Sequence, residues 1–109
     1  MMNEFQICVE ETKRKLDAKK ILLIDVRDPY EHKLARIDGS ILMPIKKLPV
    51  NLDRIKKLAK DKEIVAYCHH GIRSQFAAEF LRKNGVNARS MAGGIDEWSK
   101  EIDRKVRIY

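Results

Sequence analysis

The run ILLIDV at residues 21–26 is short, almost continuously apolar and rich in β-branched side chains, and EIVAYC at residues 63–68 repeats its character. A strand with one wet face would alternate apolar and polar residues. These two do not alternate, so both their faces must be covered, as in the interior of a parallel sheet. Around them lie amphipathic stretches of helical period: VEETKRKLDA at 9–18, NLDRIKKLAK at 51–60 and SQFAAEFLRKN at 74–84. Strands alternating with helices predict an α/β fold, with an open, mainly parallel sheet and helices on both faces. Residues 5–7 read as an edge strand, 40–43 before Pro44 as another, and 88–91 as a further extended piece, which makes about five strands in all. Gly85 after Asn84 marks a helix end, and Gly93-Gly94 breaks the chain before a last short helix ending near residues 98–100.

The 109 residues suit one domain, 1–109, and 44% apolar against 6% aromatic content predicts an aliphatic core with Trp98 and the three Phe as its largest pieces. No repeat, linker or low-complexity segment interrupts it. No apolar run approaches the ~20 residues of a membrane span, so the expectation is a cytoplasmic protein without a membrane partner. In that setting Cys8 and Cys68 stay reduced. Lys and Arg number 23 against 16 Asp and Glu, a net charge of +7. Solvated helix faces account for most of it, so a nucleic-acid surface is not expected; the residual positive field suits an anionic substrate or an acidic partner, and charge alone does not choose between a small anion and RNA.

Cys68 ends the second apolar run, at the carboxyl edge of the sheet, where open parallel sheets bind ligands. The segment YCHHGIRSQF at 67–76 must turn sharply into a helix there, and Gly71 supplies the backbone freedom. Amides converging in such a turn, next to a helix N-terminus, form a nest for an anion. A sulfur at the centre would be held as thiolate, the nucleophilic form, with Arg73, His69 and His70 adding to the field. On this reasoning alone two readings stay open: a reactive sulfur, or a cysteine packed at a strand end.

Other candidates have plainer readings. Adjacent histidines point apart on a strand or turn, His32 is the sole other histidine, and no Cys/His pair has zinc-ligand spacing, so His69 and His70 are expected to line the pocket mouth and hold no metal. Asp25 and Arg27, at the end of the other apolar run, are expected to form an ion-pair network with Glu31 or Asp28 and could border the pocket. Cys8 should sit near a helix start as a small packing residue. Gly93-Gly94, lacking any phosphate-loop frame, reads as a backbone turn beside the active loop, with Trp98 anchored beneath it.

Cys68-His69-His70-Gly71-Ile72-Arg73-Ser74 resembles the active-site loop of single-domain rhodaneses, C-x-x-G-x-R-[ST]. Asp25-Val26-Arg27 through Glu31 is similar to the family's D-V-R-x-x-x-E, Ile37-Asp38-Gly39-Ser40 to its I-x-G-[AS], and Gly93-Gly94 through Trp98 to its closing G-G-x-x-x-W. The segments occur in the family's order and span almost the whole chain. Ala35-Arg36 stand where the family usually has Gly-His, a departure that bears on local packing or a surface contact.

The resemblance implies a rhodanese-like fold and a cofactor-free thiosulfate sulfurtransferase. Cys68 would be the catalytic nucleophile and carry sulfur as a persulfide from a small anionic donor such as thiosulfate to cyanide, a thiol or a protein acceptor. The amides of His69, His70, Gly71, Ile72, Arg73 and Ser74 would cradle the sulfur, and Arg73 would bind the donor. One alternative is a non-catalytic module that docks an acidic protein or RNA. A second is a small phosphatase or arsenate reductase, whose wider C-x5-R loops the C-x4-R spacing here disfavours.

Overall fold

The computed structural model describes residues 2–109. Its strands are β1 (Gln6–Ile7), β2 (Ile21–Asp25), β3 (Ile41–Leu42), β4 (Glu63–Tyr67) and β5 (Ala88–Met91). They form one sheet in the order β1-β5-β4-β2-β3, and every pairing is parallel. The expected α/β architecture therefore holds, and the sheet is wholly parallel. β2 and β4 lie beside each other in the interior, Ile21 opposite Glu63 through Asp25 opposite Tyr67. Their near-continuous apolar character follows, because alternate side chains enter different cores.

Among the described residues five helices cover the faces: α1 (Val9–Asp17), α2 (Pro29–Leu34), α3 (Leu52–Ala59), α4 (Ile72–Lys83) and α5 (Gly94–Glu101). On one face Ile24, Ile64, Ala66 and Ala88 pack with Ile55 and Ala59 of α3 and Ala77, Ala78 and Leu81 of α4. On the other, Leu23, Val65, Tyr67 and Met91 pack with Val9 of α1 and Ile95 and Trp98 of α5. Trp98 is the buried anchor expected of it. Among the described residues no helix is long and apolar enough to cross a membrane.

Two expectations need correction. The Phe residues are not core pieces: Phe5 and Phe76 are exposed, and Phe80 only flanks the core. Phe5 instead lies under the Arg82 guanidinium, 3.9 Å from its ring centroid, where it can stay wet and still interact. The largest fully buried side chains include Arg27 and Tyr67. Secondly, α2 went unrecognised, as did a 3-10 turn at Ile45–Lys47. α2 is six residues long, too short for a helical period, and its local signal was Asp28 before Pro29, an N-cap followed by proline in the first turn.

Candidate active site

Cys68 directly follows β4 and is 1% exposed. Gly71, at φ +106°, bends the chain back so that its own N–H points at Cys68 Sγ from 3.1 Å. α4 starts at the next residue, which places Ser74 in its first turn, where amides lack intrahelical acceptors. The Ser74 N–H uses this freedom to donate to Sγ at 3.3 Å, and its hydroxyl lies 3.4 Å from the same sulfur. Fewer amides converge on the sulfur than expected. Of the amides of residues 69–74, those of Gly71 and Ser74 reach the sulfur; those of His69, His70, Ile72 and Arg73 make no such bond. Ser74 Oγ lies 2.6 Å from Ser90 Oγ on β5, which closes the buried side of the site.

The start of α5 braces the loop from behind. The Ile95 N–H donates to the Cys68 carbonyl at 2.9 Å and the Asp96 N–H to that of His69 at 3.2 Å. This approach is possible because residue 94 has no side chain. A Cβ there would lie 2.5 Å from the His69 carbonyl carbon and 2.6 Å from the Cys68 oxygen. The Gly93-Gly94 turn thus sits against the loop, as its sequence suggested.

Arg73 is not a free cation. Its two terminal nitrogens donate to Glu31 Oε1 and Oε2 at 2.7 and 2.9 Å, a bidentate pair between α4 and α2. The Glu31 carboxylate also accepts from the Tyr109 hydroxyl at 2.7 Å and the Asp28 N–H at 3.2 Å. Arg73 foremost, with Tyr109 and Asp28, holds its pKa down at about 2 although burial works the other way. Arg73 is pushed upward in turn, mainly by its hydrogen bonds to Glu31.

Asp25 and Arg27 have no exposure, so they do not border the pocket with surface of their own. They pair with each other rather than with Glu31 or Asp28. Arg27 donates to Asp25 Oδ1 at 2.8 Å and Oδ2 at 2.7 Å, and to the Ala35 carbonyl. His32 Nδ1 lies 2.8 Å from the same carboxylate. Burial opposes the charge of Arg27, but its hydrogen bonds to Asp25 and Tyr109 outweigh that and raise its pKa. Arg27 also donates to the Tyr109 hydroxyl at 2.6 Å. Tyr109 therefore joins the buried Asp25–Arg27 pair to the Glu31–Arg73 pair at the loop.

The same Tyr109 ring stacks on His69, centroids 3.9 Å apart and planes 5° apart, and His69 stacks on His70 at 4.0 Å and 24°. The adjacent histidines therefore lie against each other and do not point apart as expected of neighbours at a turn. Asp96 approaches them, and one ligand atom each from His69, His70 and Asp96 falls within 4.8 Å of the others. Lone pairs on nearly parallel rings run side by side rather than converging, however, and Lys100 holds the Asp96 carboxylate at 3.0 Å. As they stand, the rings form a stacked wall beside the loop. Ile72, 67% exposed, is the apolar part of the rim. Cys8 caps α1, its sulfur accepting the Glu11 N–H at 3.4 Å, in keeping with the local role expected of it.

Two site residues escaped the reading of the sequence. Tyr109 carries no local signal, since its place depends on the path of the segment after α5. Ser90 did carry one: it is a polar residue at an inward position of a buried strand.

The Rhodanese-like domain family model matches residues 9–101. The chain belongs to that family. A sulfurtransferase of Allochromatium vinosum is 30% identical over 90 residues, which cover 82% of this chain and 81% of that protein. The probable adenylyltransferase/sulfurtransferase MoeZ of Mycobacterium tuberculosis is 38% identical over 92 residues, 84% of this chain but only 23% of MoeZ. The chain spans about a quarter of the length of such curated relatives. Among solved structures, a rhodanese-related protein from Thermoplasma volcanium aligns with a TM-score of 0.78 at 33% identity, covering 95% of this chain and 98% of that one.

Proposed function

We propose that this chain is a sulfurtransferase in which Cys68 carries sulfane sulfur between an anionic donor and a thiol acceptor. The observation that carries the reading is the convergence of the Gly71 and Ser74 N–H groups on a buried Cys68 Sγ, with Ser74 Oγ 3.4 Å from the same sulfur. Backbone donors fixed by a turn and a helix start need no reorganisation when negative charge resides on sulfur. A thiolate at Cys68 attacks the outer sulfur of thiosulfate; the new Sγ–S bond forms as the donor's S–S bond breaks, and sulfite leaves with the bonding pair. An acceptor thiolate or cyanide then takes the terminal sulfur, and Sγ departs as thiolate. Covalent capture divides one transfer into two displacements, neither of which requires a metal.

Tight placement of Sγ suits a single extra sulfur atom. Arg73, already neutralised by Glu31, serves this reading less as a donor-binding cation than as the strut that fixes the first turn of α4. Ile72 and Phe76, one helical turn apart and both 67% exposed, give a protein acceptor an apolar landing beside the loop. The test is intact-protein mass spectrometry after incubation with thiosulfate. We expect a gain of one sulfur atom, reversed by cyanide and absent from Cys68→Ser; a wild-type mass unchanged at saturating donor rejects the proposal.

A further inference from the structure

Ser90 is 1% exposed in the middle of β5, on the same side of the sheet as Ala88, facing α4. Its hydroxyl has one side-chain partner, Ser74 Oγ at 2.6 Å, and Ser74 Oγ in turn lies 3.4 Å from Cys68 Sγ. We propose that Ser90 is a positioning residue: by donating to Ser74 it turns the Ser74 hydroxyl hydrogen toward Cys68 and aligns two O–H dipoles with the charge on sulfur. This rests on Cys68 being the sulfur carrier.

The direction follows from counting hydrogens. Three atoms in a row, Sγ, Oγ and Oγ, leave two gaps that a hydrogen can fill. With a thiolate there are two hydrogens for two gaps: Ser90 donates to Ser74 and Ser74 donates to sulfur. With a thiol there are three, so one hydrogen has no acceptor in the row, or both hydroxyls turn away from sulfur. Ionisation is therefore the state in which both dipoles point at Sγ and each hydrogen bond polarises the next. The proton itself leaves to solvent base, because the row ends inside the sheet at Ser90 and leads nowhere. The thiolate is both the species that attacks the donor and the group that departs when the acceptor takes the sulfur, so both half-reactions draw on the same alignment.

The experiment is alkylation of Cys68 by iodoacetamide, followed by peptide mass spectrometry so that Cys8 is scored separately. Ser90→Ala should slow alkylation about two- to fivefold at neutral pH, the size of one polarised hydrogen bond once removed from the charge. The deficit should close at alkaline pH, and Ser90→Ala should have no further effect in a Ser74→Ala background. An unchanged rate, equal slowing in both backgrounds or a deficit that persists at alkaline pH overturns the proposal. The isosteric pair Ser90→Thr and Ser90→Val repeats the comparison with the hydroxyl as the sole difference; Thr should react faster, and equal rates count against the proposal. Alkylation uses no sulfane donor, so a failed persulfide assay and a failed Ser90 effect are separate results.

Discussion

The Tyr109 hydroxyl accepts from Arg27 at 2.6 Å and donates to Glu31 at 2.7 Å, so one oxygen links two ion pairs that sequence separates. Burial first, and donation to Glu31 second, push its pKa up to about 12, which keeps the proton in place. The ring separately stacks on His69. Tyr109→Phe should keep the stack and lose the link, lowering stability by about 1 kcal/mol, with a residue of strain where Arg27 and Glu31 lose a partner. Tyr109→Ala should lose both and slow thiosulfate loading of Cys68 more than Tyr109→Phe does. Urea unfolding and loading rates, measured side by side, decide this; equal loading defects in the two variants would mean that the stacked ring contributes nothing.

Glu31 supplies a pH dependence whose sign is fixed by its depressed pKa. Its carboxyl titrates near 4.5 when unfolded and at about 2 when paired with Arg73. The unfolded chain therefore binds the proton first as pH falls, and the stabilisation from Glu31, fully present above pH 4.5, is lost between there and pH 2. Glu31→Gln should be less stable than wild type at neutral pH, with the gap narrowing through that window. A gap that stays constant down to pH 2, in urea titrations at stepped pH, would assign the acid sensitivity to another group.

The same pair makes a kinetic forecast. Because Glu31 neutralises Arg73, Glu31→Gln frees a cation beside the loop, whereas Arg73→Ala removes one and leaves a nearly buried carboxylate unpaired. Thiosulfate, a dianion, should then show a lower KM in Glu31→Gln and a higher KM in Arg73→Ala. Steady-state thiocyanate formation measures both. KM values that rise together would mean that the pair acts only by holding the loop in shape.

The contrast between these residues shows what the sequence could and could not disclose. The interior strands were legible because ILLIDV and EIVAYC are apolar on both faces, and the position of Cys68 at a strand end was legible because a turn glycine and a helix follow it. The partner of Arg73 was not, since choosing Glu31 over Asp28 or Asp25 depends on which way α2 faces, and α2 is too short to show a period. The histidines were misjudged for a related reason: local geometry at a turn cannot foresee an aromatic ring arriving from the segment after α5 to hold them in a stack. Ser90 was within reach, because a serine in an otherwise buried strand needs a partner, but nothing nearby named Ser74.

Gly94 and Gly71 separate two kinds of backbone constraint. At Gly71 an added Cβ would meet its nearest atom, the Gly93 nitrogen, at 3.3 Å, so Gly71→Ala suffers chiefly from φ +106°, about 1–3 kcal/mol. At Gly94 the Cβ would fall 2.6 Å from the Cys68 carbonyl oxygen, and neither backbone can yield without breaking the bonds from Ile95 and Asp96. Gly94→Ala should therefore be the more destabilising in urea and should impair persulfide formation more, although residue 94 does not touch the sulfur. The reverse order would show that the left-handed turn, rather than the close approach of α5, sets the loop.

The loop also predicts what the protein will not do. A phosphoryl group bound above a cysteine carries charge on three equatorial oxygens, and each needs donors on a ring wider than the sulfur itself. Here the amides of Gly71 and Ser74 already close on Sγ at 3.1 and 3.3 Å, the Ser74 hydroxyl fills the inner side, and the Arg73 fork is engaged by Glu31. Donors closed on Sγ in this way leave the three oxygens without a cradle. An aryl phosphate should show no turnover above the Cys68→Ser background under conditions where thiosulfate loads Cys68. Cys68-dependent release of the phenol would mean that the loop opens to accept a tetrahedral anion, and the size argument would then have to give way to one based on loop motion.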